Sequence, residues 1–210
     1  MVSSHNIVKD LLKIKAVQIH TKKYFTWTSG LKSPIYCDNR LTMSYPQIRK
    51  KIMQLFIEKV NDLKEKPNII AGCATAGIPH AAWLADALDL PLVYVRSAPK
   101  EHGKGNQIEG VVASGQKAVI IEDLVSTGGS SLNVAKALQN EGIEVLAVLA
   151  IFTYGLQKSI DQFKREQIPL YTLTTFDELV DILVEDNQLN AQERQELITW
   201  RNHLSYTKDN

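Results

Sequence analysis

The stretch "AVIIEDLVSTGGSSLNVAKALQ", residues 118–139, passes from an apolar run through two acids and a hydroxyl- and glycine-rich turn into a helical period. The run over 118–122 shows no polar alternation, the pattern of a strand buried on both faces of a sheet. Residues 130–141 space their apolar side chains as a helix does. The same alternation continues on either side. Strands are expected at 68–73 (NIIAGC), 91–95 (PLVYV), 118–122, 144–151 (EVLAVLAI) and 169–174 (PLYTLT), and helices at 77–89, 130–141 and 155–166. Apolar strands separated by helices imply an α/β fold, a central mostly parallel sheet of about five strands flanked by helices. Residues 97–117 interrupt the rhythm: they are polar, hold Gly103, Gly105, Gly110 and Gly115, and have no helical period. A connection that long inside a compact domain is usually functional or disordered.

Further out, Ile7, Leu11 and Ile14 predict an amphipathic helix over 4–17. Residues 24–40 alternate aromatic and polar side chains, turn at Ser29 and Gly30, and run extended after Pro34. Pro46 opens a second helix over 46–63, and 176–205 reads as two more. Apolar residues make up 44% of the chain and the net charge is +1, which argues against a nucleic-acid-binding surface. Cys37 and Cys73 lie far apart with no metal-ligand spacing, so both are expected to be buried thiols. No signal-peptide core and no membrane-length apolar run occurs, so a cytoplasmic protein with no membrane partner is expected. His5, His20, His80 and His203 have no companions for metal or nucleophilic work and are expected on the surface or on helices.

In open parallel sheets, ligands bind beyond the carboxyl ends of the strands. One expected strand ends at Glu122 and Asp123, and the loop 124–129 then feeds a helix starting near Ser130. A helix start offers free N–H groups and partial positive charge, and Gly128 and Gly129 let an anion approach the backbone. Ser126, Thr127, Ser130 and Ser131 add hydroxyl donors. Two acids would repel a phosphate held in their midst, but they suit neutral hydroxyls or a cation a few ångströms away. A sugar phosphate meets both demands. Taken alone, the same residues equally describe a capped helix behind two solvated acids.

"VIIEDLVSTGGSS" (119–131) resembles the phosphoribosyl-pyrophosphate (PRPP) signature of the type I phosphoribosyltransferases. Two further stretches resemble the orotate branch of that family. The first is "YVRSAPKEHGKGNQIEG" (94–110), with Arg96, Lys100 and His102 in its catalytic-loop pattern, Lys104 following, and Ser97 where many members carry Lys. The second is "FTWTSGLKSPIYCDNR" (25–40), which matches the N-terminal hood but has Cys37 and Asp38 in place of an aromatic pair. "IIAGCATAGIPHA" (69–81) resembles the pyrophosphate loop, with Thr75 and Ala76 where many orotate enzymes have Tyr-Lys.

The resemblance implies one domain over 1–210, with a hood at about 20–45, a core at about 46–175 and C-terminal helices at about 176–205. It implies transfer of a phosphoribosyl group from PRPP to orotate, with Mg²⁺ held mainly through PRPP rather than by a set of protein ligands. PRPP would contact Arg96, Lys100, His102, Glu122, Asp123, Leu124, Val125, Ser126, Thr127, Gly128, Gly129, Ser130, Thr75 and Ala76. Lys100, His102, Glu122 and Asp123 would carry catalysis, and Ser126, Phe25, Lys32 and Tyr36 would contact orotate. A homodimer sharing the 96–110 loop between subunits is expected. Transfer to another base, or non-catalytic binding of PRPP or a nucleotide by a regulator, remain the alternatives.

Overall fold

A computed structural model describes residues 4–21, 23–26, 30, 32–98 and 107–204. Its centre is a six-stranded sheet. The strands are β5 (Ile69–Cys73), β6 (Leu92–Val95), β7 (Ile108–Glu109), β8 (Lys117–Val125), β9 (Glu144–Thr153) and β10 (Leu170–Thr175). Two small antiparallel pairs precede it, β1 (Val17–Ile19) with β4 (Ile35–Cys37) and β2 (Phe25–Thr26) with β3 (Lys32–Ser33). The helices are α1 (Ser4–Lys13), α2 (Pro46–Asp62), α3 (Gly77–Leu88), α4 (Gly129–Asn140), α5 (Gln157–Arg165), α6 (Phe176–Glu185) and α7 (Ala191–Leu204), with a 3-10 helix at Asn39–Ser44.

The apolar runs of β8 and β9 have no polar alternation because each face of the sheet has its own core. Val119 and Ile121 of β8, with Ala147, Leu149 and Ile151 of β9, face α1, α2, α3 and α6. Ala118 and Ile120, with Val148 and Ala150, face α4 and Phe163 of α5. Strand period two thus feeds two helical layers. Helix ends are specified locally. Pro46 stands in the first turn of α2, and Thr175 and Glu178 form a reciprocal capping box on α6.

The strand order is β10-β9-β8-β5-β6-β7. The chain leaves β5 through α3 toward β6, then returns to the opposite side of β5 with β8 and continues to β9 and β10. The order therefore reverses between β5 and β8, and a ligand crevice is expected at their carboxyl ends. The start of α3 lies close against β8 there. A Cβ on Gly77, in the first turn of α3, would lie 2.3 Å from the Ile121 carbonyl oxygen. Gly77→Ala must push α3 off β8 and should lower stability by about 1–3 kcal/mol, read from a denaturant melt.

Several expectations are corrected. The sheet has six strands, because β7 pairs antiparallel with β6 inside the segment read as loop (97–117). Its two residues are too short to leave a periodic signal. The first helix stops at Lys13 rather than running to 17; Lys15 takes φ +59° and Val17 enters β1. β8 runs on to Val125, so Leu124 and Val125 are strand residues, and α4 starts at Gly129. Cys37 is only half-buried, whereas His80 lies on a helix as expected, with its side chain buried. Among the described residues no helix is long and apolar enough to cross a membrane.

Candidate functional site

The last turn of β8 carries both acids. Glu122 is buried, and its Oε1 accepts the Asp123 backbone N–H at 3.1 Å while its Oε2 accepts the Ser131 hydroxyl at 3.3 Å. Burial, with the negative charge of Asp123 beside it, pushes the Glu122 carboxyl up to about 7. Asp123 is half-buried, and burial raises its carboxyl too. Asp123 is thus the acid more open to a ligand, and Glu122 lies behind it with part of its acceptor capacity already used. The Ser131 hydroxyl, read from sequence as a phosphate donor, is buried and serves Glu122 instead. Cys73, at the end of β5, lies 3.4 Å from the Ser130 hydroxyl, and its thiol is driven up by burial and by the charge of Glu122.

Beyond the acids the chain turns into α4. Gly128 takes φ +88°, and a Cβ there would come within 2.8 Å of the Phe163 ring. Both facts demand glycine. Ser126, Thr127 and Gly129 are half-exposed and Ser130 is exposed, while the Val125 side chain is buried. Val125 therefore has only its backbone to offer a ligand, and its carbonyl already accepts from the Thr153 hydroxyl and the Tyr154 N–H. The N-terminal amides of α4, with no side-chain cap, face the loop as an anion cradle.

Across the crevice, residues 74–76 link β5 to α3. The Ala74–Thr75 peptide is cis, and the Thr75 side chain is exposed. Arg96 closes the far end of β6. Its N–H donates to the Gln107 carbonyl at 2.9 Å, the Gln107 side-chain amide donates back to the Arg96 carbonyl at 2.8 Å, and its guanidinium lies 3.9 Å from Glu109. A narrow cleft lined by Cys73, Ala74, Arg96, Ser97, Ser130 and Asn133 brings Arg96 beside the start of α4. Lys100, His102 and Lys104 lie outside the described residues.

The hood brings Phe25 and Tyr36 together, their rings 5.7 Å apart, with the His20 ring tilted against Phe25 at 4.9 Å. Lys32 lies opposite Thr26 and donates to its hydroxyl at 2.9 Å. Tyr36 is 38% exposed, enough to offer a face to a flat ligand. The hood is tied to the acids by Asn39, whose amide donates to the Asp123 carbonyl at 2.7 Å. Neither Asn39 nor Tyr154 was singled out from sequence. Tyr154 follows β9, is buried, and its hydroxyl is held protonated chiefly by burial, with the negative charge of Asp123 adding to it. The strand-end rule that found Glu122 applies equally to β9 and would have flagged Tyr154. The Arg201 guanidinium of α7 donates to the Tyr154 carbonyl at 3.2 Å and pairs with Asp177 at 3.0 Å, so the last helix braces this strand end.

Among the described residues, no group of three or more His, Cys, Asp or Glu side chains could hold a metal ion. The site offers a pair of adjoining carboxyls, a row of helix-start amides and hydroxyls and a guanidinium across the cleft, with the hood aromatics tied to it through Asn39.

Residues 43–170 match the phosphoribosyl transferase domain family. The chain is 59% identical to an orotate phosphoribosyltransferase of Oceanobacillus iheyensis over 198 residues, 94% of this chain and 98% of the relative. An orotate phosphoribosyltransferase structure from Aeropyrum pernix superposes with a TM-score of 0.70 at 28% identity, over 86% of this chain and 99% of that one. The UMP synthase of Leishmania donovani superposes with a TM-score of 0.77 at 25% identity, over 94% of this chain but only 42% of that larger protein. The chain belongs to the orotate phosphoribosyltransferases.

Proposed function

We propose that the protein transfers the 5-phosphoribosyl group of PRPP to orotate, giving orotidine 5′-monophosphate and pyrophosphate in pyrimidine (UMP) biosynthesis, with its residues in the following roles. The observation that carries this reading is the acid pair of β8 running directly into the Gly128 turn and the uncapped start of α4, at the point where the strand order reverses. Carboxylates for a sugar diol and amides for its phosphate are thereby adjacent, which is the charge pattern of PRPP.

Asp123, with Glu122 behind it, accepts hydrogen bonds from the 2′ and 3′ hydroxyls of the ribose. Residues 124–130 hold the 5′-phosphate, mainly through backbone amides. Thr75, Ala76 and Arg96 face the pyrophosphate, and Lys100 and His102 close over it. Phe25 and Tyr36 stack against orotate, with Ser126 and Lys32 as donors to its oxygens. The bond from C1 to pyrophosphate breaks and its electron pair leaves with the pyrophosphate. The N1 lone pair of orotate, whose N1 proton has been lost to solvent on binding, then forms the new bond on the opposite face. Charge spreads on the ribose as that bond breaks, and fixed carboxylates lower its energy without reorganising. The carboxylates also suit a hard, hydrated cation, so Mg²⁺ would sit among PRPP oxygens and water near Asp123 and neutralise charge on the leaving group. The protein acts in the cytoplasm as a homodimer, with the 96–110 loop reaching the neighbouring site and with neither membrane nor nucleic acid as a partner.

Incubation with PRPP and Mg²⁺ should consume orotate absorbance and leave adenine, hypoxanthine and uracil untouched. Turnover of a purine in place of orotate would defeat the assignment of the base. With Asp123→Asn the kcat/KM for PRPP should fall at least about tenfold, while the melting temperature stays within about 2 °C. A variant that mainly unfolds would make the acid structural.

A further inference from the structure

Asn39 is 1% exposed in the 3-10 helix that follows the hood. Its Nδ2 donates to the Asp123 carbonyl at 2.7 Å, and its Oδ1 is buried with no partner among the described residues. Turning the amide over would set oxygen against oxygen, so the donor is the half in use. An apolar side chain of similar volume would avoid the orphan acceptor, and space filling alone does not account for the amide. The backbone of Asn39 is itself held. The Thr42 hydroxyl donates to the Asn39 carbonyl at 2.6 Å and lies 3.4 Å from His80 Nε2. With its hydrogen engaged by the Asn39 carbonyl, that hydroxyl can only accept from His80. Burial takes the imidazole down to about 4, so it is neutral and presents the Nε2–H tautomer. His80 lies just inside α3, the helix that starts at the 74–76 loop.

We infer that Asn39 is a positioning residue for the PRPP site: its amide locks the main chain of Asp123 to the 3-10 helix, and through Thr42 and His80 to α3. The relay fixes the spacing between the diol grip and the pyrophosphate loop, which lie on opposite sides of the crevice. This rests on the reading of Glu122 and Asp123 as the diol grip. Three elements, β8, the 3-10 helix and α3, are joined by one buried polar chain, and buried networks of this kind hold geometry more firmly than their separate bonds.

The test compares Asn39→Ala, Asn39→Asp and Asp123→Asn. Asn39→Ala should lower kcat/KM for PRPP by about tenfold and move the orotate KM by less than about twofold, since it loosens one substrate's grip. Asn39→Asp supplies a pH readout that a packing role would not move. The new carboxyl would sit among Asp38 and Arg40 beside it, Glu122 and Asp123 on β8, Cys37 on β4, Tyr154 after β9 and His80 on α3. Burial and the nearby acids raise its pKa. Protonated, it donates to the Asp123 carbonyl; ionised, it repels it. The ratio of this variant's kcat/KM for PRPP to that of the native enzyme should therefore fall as pH rises from about 6 to about 9, while the Asn39→Ala ratio stays flat. If Asn39→Ala melts too low to assay, the near-isosteric Thr42→Val should still lower kcat/KM for PRPP by about threefold. Native kcat/KM for PRPP in a folded Asn39→Ala beside a reduced value in Asp123→Asn would overturn the relay and leave the diol grip standing. Native values in both would overturn the two together, and ratios for Ala and Asp that move in parallel with pH would remove the donor role.

Discussion

Glu122→Gln should raise the melting temperature at pH 8 and lower turnover by about 10²-fold. The two effects share a cause. The carboxyl is buried beside Asp123, and its pKa rises from 4.5 in the unfolded chain to about 7 in the fold. Below 4.5 both states hold the proton and the site costs nothing. Between 4.5 and 7 the unfolded chain gives up its proton first, so stability falls as pH rises, and above 7 the loss is complete. Glutamine removes the ionisation and keeps the shape. Its oxygen can accept the Asp123 N–H, and its –NH₂ can donate to a Ser131 hydroxyl turned to accept. The gain is on the order of 3 kcal/mol above pH 7, or roughly 5–10 °C, and should vanish near pH 4.5. Turnover falls because the ribose loses a negative charge that opposes its developing positive charge. Melting curves at pH 4.5 and pH 8, beside the orotate assay, check both halves. A stability difference independent of pH would mean that Glu122 folds without its charge being strained, and the idea of a carboxylate kept at the expense of stability would fail.

The site was half legible from sequence. Glu122, Asp123 and the Gly128 turn stand consecutively in one stretch, and a strand–turn–helix unit has little freedom in where it puts them. The two-layer core was legible too, because β8 over 118–121 and β9 over 147–152 are buried and apolar at consecutive rather than alternate positions. Contacts between distant segments were hidden. Asn39 meets Asp123 across 84 positions, and Arg201 meets the Tyr154 carbonyl across 47. Each is a single polar side chain with no periodicity to expose it. Ser131 shows the opposite failure: it looks like its exposed neighbour Ser130, but the first turn of α4 rotates it inward to Glu122. Thr75 lies where strand and helix patterns both end, and neither period could indicate that the peptide before it is cis.

Lys100→Ala should lower turnover by about 10²-fold or more with the fold intact. Arg96 and Gln107 exchange two hydrogen bonds and β6 pairs with β7, so the loop leaves the sheet on a closed antiparallel stem. Its root faces the cleft shared by Arg96, Ala74 and Ser130. A lysine acting there would meet pyrophosphate charge that grows only as the bond breaks, so kcat should fall more than the affinity for PRPP. If the loop serves the neighbouring subunit, the acid pair and the lysine of one working site come from different chains. Co-expressing Lys100→Ala with Asp123→Asn then gives mixed dimers in which one site collects both lesions and the other collects neither. Random pairing makes half of the dimers mixed, so about a quarter of native activity should return although each variant alone is nearly inactive. Recovery no greater than the sum of the separate variants would place loop and acids in the same chain, and unchanged turnover in Lys100→Ala alone would remove the lysine from the reaction.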